Sequence, residues 1–393
     1  MSSLYFNAPV TARTLLLSIL LFSFTYDSLG NSTKSTLTHE MFSDEEYTLN
    51  GIVRDGKTGE GLAGAHVFLL ESTVGTVTDE KGHFLLSDLP AGEYKVGVSM
   101  IGFRPYTLSV DVATVTDQSF DIDLNPQVYE LDQVMVTGKR NRRWKKQLEQ
   151  FKIQVIGDTD NAQHTDIVNP EVLNFVQRKN ILIAEAHVPL IIENKATGYR
   201  IHYMLVHCAI QHGLPQYKGI ARFEEMEPKN DKQLRRWKKN RKQAYAGSFK
   251  HLLRTLAEKK SMAEVNKEGF YIARVAEFPE NIQAYEQAIF KSKDTVDQIV
   301  EEKSDGPENL LRVNDFLLIT YERELESYRF VRNHMMQHRN PDVQRSSIEL
   351  RSDSTVFNDK GILYEAYDVV LHGYMGWERM AEMLPLDYIP EEG

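Results

Sequence analysis

Short runs in which apolar and polar residues alternate recur at regular intervals between residues 46 and 138. In the run at 94–101, this alternation would bury one face of a strand and leave the other in water. Turn-forming pairs such as Asp55-Gly56 and Asn125-Pro126 separate the runs, because glycine and proline favour the backbone angles of tight turns. Seven or eight short strands in about 90 residues predict a β-sandwich. The predicted strands are 47–53, 65–70, 74–78, 83–86, 94–101, 106–110, 119–124 and 133–137.

Residues 139–393 mix helical and strand-like patterns. The strongest helical pattern spans 231–256, where apolar side chains recur at three- and four-residue intervals. We predict an α+β region rich in antiparallel strands, with one long basic helix, so that the whole chain is mainly β. Further helices are predicted at 144–151, 170–175 and 377–383, and strands at 152–156, 181–186, 190–193, 199–210, 216–223, 269–278, 295–301 and 316–321.

The first thirty residues have the pattern of a secretory signal peptide. Arg13 precedes an apolar run at 15–24, and the small residues Ser28 and Gly30 follow it. The run is half of the ~20 residues that a membrane-spanning helix needs, although an uncleaved anchor or a buried core helix is the alternative. We predict an exported protein without a transmembrane helix in its mature chain. The predicted parts are a signal peptide (1–30), a polar spacer (31–45), the sandwich (46–138) and the α+β module (139–393).

Composition narrows the choice of partners. The 393-residue chain has a formal net charge of −10, which argues against nucleic acid because binding to phosphates needs a basic face. The single cysteine, Cys208, excludes an intramolecular disulfide and any zinc site that needs several cysteines. Its apolar neighbours favour a buried thiol that behaves as a small hydrophobic side chain.

An ordered series of motifs resembles the carboxypeptidase regulatory-like domain, a family common in exported proteins of Gram-negative bacteria. The resemblance implies an immunoglobulin- or transthyretin-like β-sandwich. It also implies an accessory module rather than a peptidase, so it says more about fold than about function. The motifs are GIVRD at 51–55, LAGAHV at 62–67, GTVTD at 75–79 and VSMIGF at 98–103.

Two further resemblances extend beyond the sandwich. The segment LDQVMVTG at 131–138 resembles the link between such a domain and the plug of TonB-dependent outer-membrane receptors. Only 255 residues follow it, too few for a plug and a barrel of about 22 strands. Motifs from GDTDNA at 157–162 to MLP at 383–385 resemble a functionally uncharacterised group of exported proteins built as a sandwich plus this module. That resemblance implies no catalytic residues.

The basic helix is the best candidate for binding. Residues 229–254 contain ten lysines and arginines and one acid, Asp231. The cations would attract an anionic ligand, and the aromatic rings would stack on a sugar. The alternative is a solvated helix whose arginines pair with the acidic run at 224–227. The candidate residues for an anionic ligand or a glycan are Arg235, Arg236, Trp237, Lys238, Lys239, Arg241 and Tyr245.

No catalytic residue, cofactor or metal site is predicted. His202, His207, Cys208 and His212 are close in sequence, but in an extended strand Cys208 and His212 would lie about 13 Å apart. Zinc ligands at about 2.0–2.3 Å from the ion cannot span that distance without a bend. We therefore interpret these histidines as ordinary strand residues.

These observations favour a non-enzymatic extracytoplasmic binding or structural protein of the Gram-negative cell envelope, in the periplasm or associated with the outer membrane. The predicted partners are an anionic lipid, lipopolysaccharide, a glycan or another envelope protein. One alternative is a secreted, glycan-directed hydrolase with a carboxylate site in residues 139–393. Another is a small outer-membrane β-barrel, which the irregular pattern of that region disfavours.

Overall fold

The computed structural model describes residues 47–89, 92–112, 114–115, 119–127, 141–303, 308–313, 315–333, 339–363 and 368–390. All of them belong to one compact unit, Glu45–Gly393. The predicted signal peptide and spacer, the receptor-like segment at 131–138 and the last predicted strand of the sandwich lie outside the described residues.

The N-terminal region consists of two β-sheets that share one core. One sheet has the strand order β4-β1-β7, with β7 parallel to β1, and the other has the antiparallel order β3-β2-β5-β6. The seven predicted strands that fall within the described residues are confirmed. They are β1 (Tyr47–Asp55), β2 (His66–Leu69), β3 (Gly75–Val77), β4 (His83–Leu89), β5 (Glu93–Ser99), β6 (Tyr106–Asp111) and β7 (Ser119–Leu124).

The alternating pattern explains this core. In β4, Phe84 and Leu86 are buried, whereas Leu85 between them is 57% exposed. The buried pair lies in one cluster with Val96 and Val98 of β5, which belongs to the other sheet. The two sheets therefore meet through the apolar half of each alternating strand.

The second region begins with a six-stranded sheet in which β12 is central. β12 pairs with β11 and β10 along one edge and with β13 along the other. Helix α1 (Arg142–Phe151) packs on the same core. The strands of this sheet are β8 (Thr165–Ile167), β9 (Leu173–Arg178), β10 (Ile181–Ala186), β11 (Leu190–Asn194), β12 (Tyr199–Gln211) and β13 (Leu214–Glu225).

A separate core lies between the remaining sheets and helices, so the second region contains two large hydrophobic clusters. Its strands are β14 (Phe270–Val275), β15 (Val300–Glu302), β16 (Glu308–Arg312), β17 (Phe316–Leu325), β18 (Val343–Leu350), β19 (Ser354–Asn358) and β20 (Val369–His372). They form two sheets, in the orders β14-β17-β18-β20 and β15-β16-β19. The helices after α1 are α2 (Asp231–Tyr245), α3 (Phe249–Glu258), α4 (Met262–Lys267), α5 (Ile282–Lys291), α6 (Val296–Ile299), α7 (Tyr328–Asn333) and α8 (Gly373–Trp377). The predicted fold class, mainly β with an α+β second region, is confirmed.

The single helix predicted at 231–256 is two helices, α2 and α3, because the chain breaks at Gly247. The φ angle of Gly247 is +74°, in the left-handed region that glycine adopts without strain. Its N–H donates to Nδ1 of His251 at 3.1 Å, and the Ser248 hydroxyl caps α3 by accepting the N–H of His251 at 3.2 Å. The long basic helix of the prediction is therefore α2 alone.

The strand predicted at 152–156 is wrong. These residues form a π-helical turn, Lys152–Ile156, that continues α1. Val155 and Ile156 are both buried in the core of the six-stranded sheet, as is Phe151 before them. Burial of neighbouring side chains on one surface suits a helical turn, and it outweighs the strand preference of the β-branched residues.

Three other short elements also differ from their predictions. The helix predicted at 170–175 is a 3₁₀ turn, Pro170–Val172, followed directly by β9. The strand predicted at 295–301 is mostly helix α6. The helix predicted at 377–383 is replaced by α8 and a 3₁₀ turn at Met380–Glu382. In each case pairing with distant strands or packing on a core overrides a weak local pattern.

Helix α2 is anchored to the turn between β11 and β12. Three consecutive carbonyl groups of this turn, 195–197, accept hydrogen bonds from the Trp237 indole, the Asn240 amide and the Arg241 guanidinium at 2.9, 2.8 and 2.7 Å. The Trp237 ring, 1% exposed, packs against Gly198, whose φ is +76°. A Cβ atom at position 198 would lie 2.2 Å from Cε3 of Trp237. The turn therefore requires glycine both for its backbone angles and for space.

We expect the variant Gly198→Ala to lower the free energy of unfolding by about 3 kcal/mol, because it combines backbone strain with a clash against a rigid ring. Urea denaturation measures the loss. Gly59→Ala is the matched control, since Gly59 also has a positive φ (+77°) but nothing within 4 Å of the added Cβ. It should cost only about 1 kcal/mol. Equal losses in the two variants would show that the contact with Trp237 contributes nothing.

Candidate functional site

Helix α2 separates two clefts, because residues that line the two clefts lie on opposite sides of the helix. The first, which we call the basic cleft, has a volume of about 550 Å³. It is bounded by α2, by the six-stranded sheet, by the loop after β2 and by residues 385–389, which we call the C-terminal segment. The lining residues are Thr73, Tyr199, Glu225, Lys238, Lys239, Arg241, Lys242, Pro385, Asp387, Tyr388 and Ile389.

Arg241 is a fixed part of the wall of the basic cleft. It is 7% exposed, and its guanidinium carbon lies 3.9 Å from the centre of the Tyr199 ring. Its Nη1 donates to Glu225 Oε1 at 2.8 Å, while Nε donates to the Thr197 carbonyl. The alternative prediction, that arginines of this helix pair with the acidic run at 224–227, is confirmed for this pair. Arg241 therefore shapes the cleft with donors that are already engaged.

Three lysines supply the positive charge of the basic cleft. Lys238, Lys239 and Lys242 are exposed on α2 and lie within about one turn of one another. Of the two acids that line the cleft, Glu225 is bound by Arg241, and Asp387 accepts the backbone N–H of Thr73 at 3.0 Å and its hydroxyl. The lining of the cleft thus carries more positive than negative charge.

The sandwich provides one wall of the basic cleft through the loop that follows β2. The N–H of Glu71 donates to the carbonyl of Ala221 at 2.8 Å, and the N–H of Phe223 donates to the carbonyl of Ser72 at 2.9 Å. These two bonds attach the loop to the free edge of β13 in the manner of a short added strand. The N–H of Leu386 donates to the carbonyl of Glu71 at 2.7 Å. The loop therefore lies between β13 and the C-terminal segment.

Lys250 of α3 holds the C-terminal segment in place. Its Nζ donates to the carbonyl groups of Pro385 at 2.9 Å and Leu386 at 3.2 Å. Burial lowers the pKa of the Lys250 ammonium to about 8, and burial raises the pKa of the Glu71 carboxyl, which interacts with this ammonium. The two groups therefore carry opposite charge only where the pH lies above the pKa of Glu71 and below that of Lys250.

The seven predicted site residues are divided among four environments. Lys238, Lys239 and Arg241 line the basic cleft, and Arg236 lines the second cleft. Arg235 is exposed and lines neither of the two clefts. Trp237 and Tyr245 are buried, with 1% and 8% of their surfaces exposed. These two aromatic side chains pack inside the protein, so they are not placed to stack on a ligand at the surface.

The second cleft, which we call the carboxylate cleft, has a volume of about 420 Å³. Burial raises the pKa of the Glu324 carboxyl to about 7. Burial, together with the charges of Glu382 and Glu324, raises the pKa of Glu378 well above its ordinary value, and burial also raises that of Glu382. Other lining residues include Asp160, Asn161, His164, Lys195, Arg236, Asn240, Gln243, Gln344, Tyr374 and Trp377.

Sequence reasoning missed the carboxylate cleft. Glu324 lies on β17, Glu378 follows α8, and Glu382 belongs to the 3₁₀ turn after it. No spacing pattern joins the first of these to the other two, so only the tertiary structure brings them together. The glycan-directed hydrolase considered above requires acids that converge in a cleft, and it stays a prediction. Asp158 and Asp160, in the loop before β8, bind Arg329 at 3.1 and 3.4 Å.

The histidines near Cys208 have separate partners. His202 Nε2 lies 3.0 Å from Glu224 Oε2, and His212 Nε2 lies 2.8 Å from Nδ2 of Asn180. Burial raises the pKa of the Cys208 thiol to about 12, so the thiol stays protonated and unreactive. Across the part of the chain that the structure describes, no three His, Cys, Asp or Glu side chains are grouped so that they could hold a metal ion.

Comparison with known proteins assigns the N-terminal region to a domain family. The family model of the CarboxypepD_reg-like domain matches residues 49–136. Residues 49–136 are a CarboxypepD_reg-like domain. The TonB-dependent receptor SusC of Bacteroides thetaiotaomicron is 37% identical over 94 residues, which are 24% of this chain and 8% of the receptor. Both resemblances predicted for this region are thereby confirmed, and the matched segment is a small part of the receptor.

Similarity to solved structures is weak. A candidate carbohydrate-binding protein of Bacteroides uniformis is 10% identical, with 46% of this chain and 98% of that chain covered and a TM-score of 0.17. A candidate membrane-associated protein of unknown function from Bacteroides fragilis is 11% identical, with 84% and 95% covered and a TM-score of 0.18. Scores this low support no argument about this chain. Within the described ranges, no helix has the length and apolar character needed to cross a membrane.

We expect Arg241→Lys to lower the free energy of unfolding by about 2 kcal/mol, because lysine cannot reach the Thr197 carbonyl and Glu225 together. Urea denaturation followed by circular dichroism gives the value. Arg235→Lys makes the same exchange at an exposed position of the same helix and should change stability by less than about 0.5 kcal/mol. If the two variants were equally stable, the hydrogen bonds of Arg241 would have no structural role.

Proposed function

We propose that this protein is a non-enzymatic, extracytoplasmic binding protein of the Gram-negative cell envelope, and that the basic cleft holds an anionic group of its ligand. The single observation that carries the proposal is the grouping of Lys238, Lys239 and Lys242 in a cleft whose two lining acids already bind Arg241 and Thr73. A partly enclosed cleft with surplus positive charge attracts anions.

The placement in the envelope rests on two observations. The 94-residue segment resembles part of a TonB-dependent receptor, and the apolar run at 15–24 has the pattern of a signal peptide. We therefore propose export, removal of residues 1–30 and a location in the periplasm or at the outer membrane. In this proposal, residues 46–138 are an accessory module and residues 139–393 carry the ligand site.

The proposed ligand group is a phosphate of an anionic lipid or of lipopolysaccharide. Lysine ammonium groups are compact charges that bind phosphate without a fixed geometry, which suits three side chains on one exposed helical surface. The buried rings of Trp237 and Tyr245 leave fewer aromatic surfaces for sugar stacking at this cleft, so a phosphate is a better match than a neutral glycan. Another envelope protein with an acidic surface is the remaining proposed partner.

The double variant Lys239→Glu/Lys242→Glu should weaken binding to vesicles that contain phosphatidylglycerol, and to purified lipopolysaccharide, by at least about tenfold. Each lysine near an anionic surface contributes about 1 kcal/mol, and each replacement also adds a repulsive charge. Co-sedimentation with vesicles measures the affinity. Binding of the unaltered protein should weaken as salt is raised, because screening shortens the range of the attraction.

The chain contains a matched control. Lys145→Glu/Lys146→Glu makes the same change in charge on α1, at the two lysines of the RRWKK segment at 142–146. Both lysines are exposed there, and neither lines the basic cleft. The control should bind nearly as well as the unaltered protein. Equal losses in the two double variants would attribute binding to overall charge, and absence of binding to both ligands would refute the proposal.

A further inference from the structure

The carboxylate cleft has no part in the proposed function. It lies across α2 from the basic cleft. Its lining comes from α2, from the loop before β8, from β17, from α8 and from the 3₁₀ turn that follows α8. Its volume of about 420 Å³ is within the range of small-molecule sites. Its lining combines acids, amides, two basic side chains and the aromatic rings of Tyr374 and Trp377.

The three glutamates of this cleft differ in how they are bound. Glu382 accepts hydrogen bonds from the Thr159 hydroxyl and from Nδ2 of Asn161, the latter at 2.7 Å. Glu324 is hydrogen-bonded to the Gln344 side chain. The carboxyl group of Glu378, by contrast, has no hydrogen-bond partner among the residues that the structure describes, and it lines the same cleft as Glu382 and Glu324, whose charges act on it. Glu378 therefore has hydrogen-bonding capacity that the protein leaves unused.

A second unused group lies beside it. The indole ring of Trp377 lines the cleft and packs against Phe330 and Tyr374, with ring centres 5.4 and 5.3 Å apart. Its Nε1 is buried and has no acceptor within the described part of the chain. A buried donor without an acceptor is costly and rare in folded proteins. Trp377 and Glu378 both line the carboxylate cleft, so one ligand in the cleft can approach both side chains.

The charges around these groups indicate the class of ligand. Three neighbouring carboxyl groups in a poorly solvated wall do not all ionise near neutral pH, because burial and mutual repulsion favour their protonated forms. A protonated carboxyl both donates and accepts hydrogen bonds, which matches the hydroxyl groups of a sugar. Amide side chains of Asn240 and Gln243 on the α2 wall add donors and acceptors of the same kind.

We propose that the carboxylate cleft binds a neutral oligosaccharide, whose hydroxyl groups pair with the Glu378 carboxyl and accept the indole N–H of Trp377. The inference goes beyond the proposed function, since it concerns a different cleft and an uncharged ligand. The unused donor of Trp377 and the unused carboxyl of Glu378 carry it together, on a cavity with mixed polar walls.

Isothermal titration of the full chain with cellotetraose, mannotetraose and N-acetylchitotetraose tests the proposal. We expect at least one of these probes to bind. Trp377→Phe keeps the ring but removes the N–H, and it should weaken binding about fivefold, the equivalent of one hydrogen bond. Glu378→Ala should weaken binding by about tenfold or more. Glu378→Gln, an uncharged analogue of the protonated acid, should bind within about threefold of the unaltered protein.

The pH dependence gives an independent readout. The groups that face Glu378 are Glu382, Glu324 and Tyr374, with Asp160, His164, Lys195 and Arg236 elsewhere on the lining. Because the pKa of Glu378 is raised well above its ordinary value in the folded protein, its neutral form persists to higher pH than that of an ordinary glutamate and is lost as the pH rises through the raised pKa. Saccharide binding should therefore weaken as the pH rises, and Glu378→Gln should reduce this dependence.

Glu149→Gln is the matched control, because Glu149 is exposed on α1 and lines neither cleft described above. Melting temperatures of all variants confirm that they are folded. The proposal is overturned if none of the three saccharides binds, if Glu378→Gln loses as much affinity as Glu378→Ala, or if a glucosamine tetramer with free amines binds more tightly than its N-acetylated form. Lys239→Glu/Lys242→Glu should leave saccharide binding unchanged, which separates this test from that of the basic cleft.

Discussion

Three hydrogen bonds and one aromatic contact hold helix α2 on the turn between β11 and β12, and both clefts depend on that attachment. The Asn194 side chain shapes the turn by accepting the N–H groups of Ala196 and Thr197 at 3.1 Å. The turn's carbonyl groups then receive the side chains of α2, so few polar groups are left unsatisfied beneath it. Without the ring of Trp237 over Gly198, α2 would lose its largest buried side chain, and the wall that it gives to both clefts would be less firmly held.

The helix also divides two electrostatic environments in a chain whose net charge is −10. In the basic cleft, three lysines outnumber the two acids, and both acids already bind other residues. On the other side, glutamates crowd together and retain protons because burial disfavours their charged forms. The lysines of the first cleft favour an anionic group, whereas the protonated acids of the second offer hydrogen bonds that suit an uncharged one. Two ligands of different charge could therefore occupy the molecule without competing.

The parts of this structure that were predictable are those set by local patterning. Alternation over 94–101 predicted β5, and the basic composition of 229–254 predicted the charge of α2. The site was not predictable in the same way, because Trp237 is buried by a glycine 39 positions earlier and Glu324 meets Glu378 only in the folded chain. The prediction of a strand at 152–156 failed for the same reason. These residues form a π-helical turn because Val155 and Ile156 pack in the core of the six-stranded sheet.

The loop after β2 has a consequence for the order in which the molecule is completed. Thr73 binds Asp387, which follows it by 314 residues. During synthesis the loop therefore cannot form this contact until Asp387 has left the ribosome. The sandwich can close its own core long before then, since every described residue of that core belongs to the seven strands or to their connections. The basic cleft, by contrast, lacks one wall until residues 385–389 have been made. A growing chain can therefore hold a folded sandwich while it is still unable to enclose a ligand in this cleft.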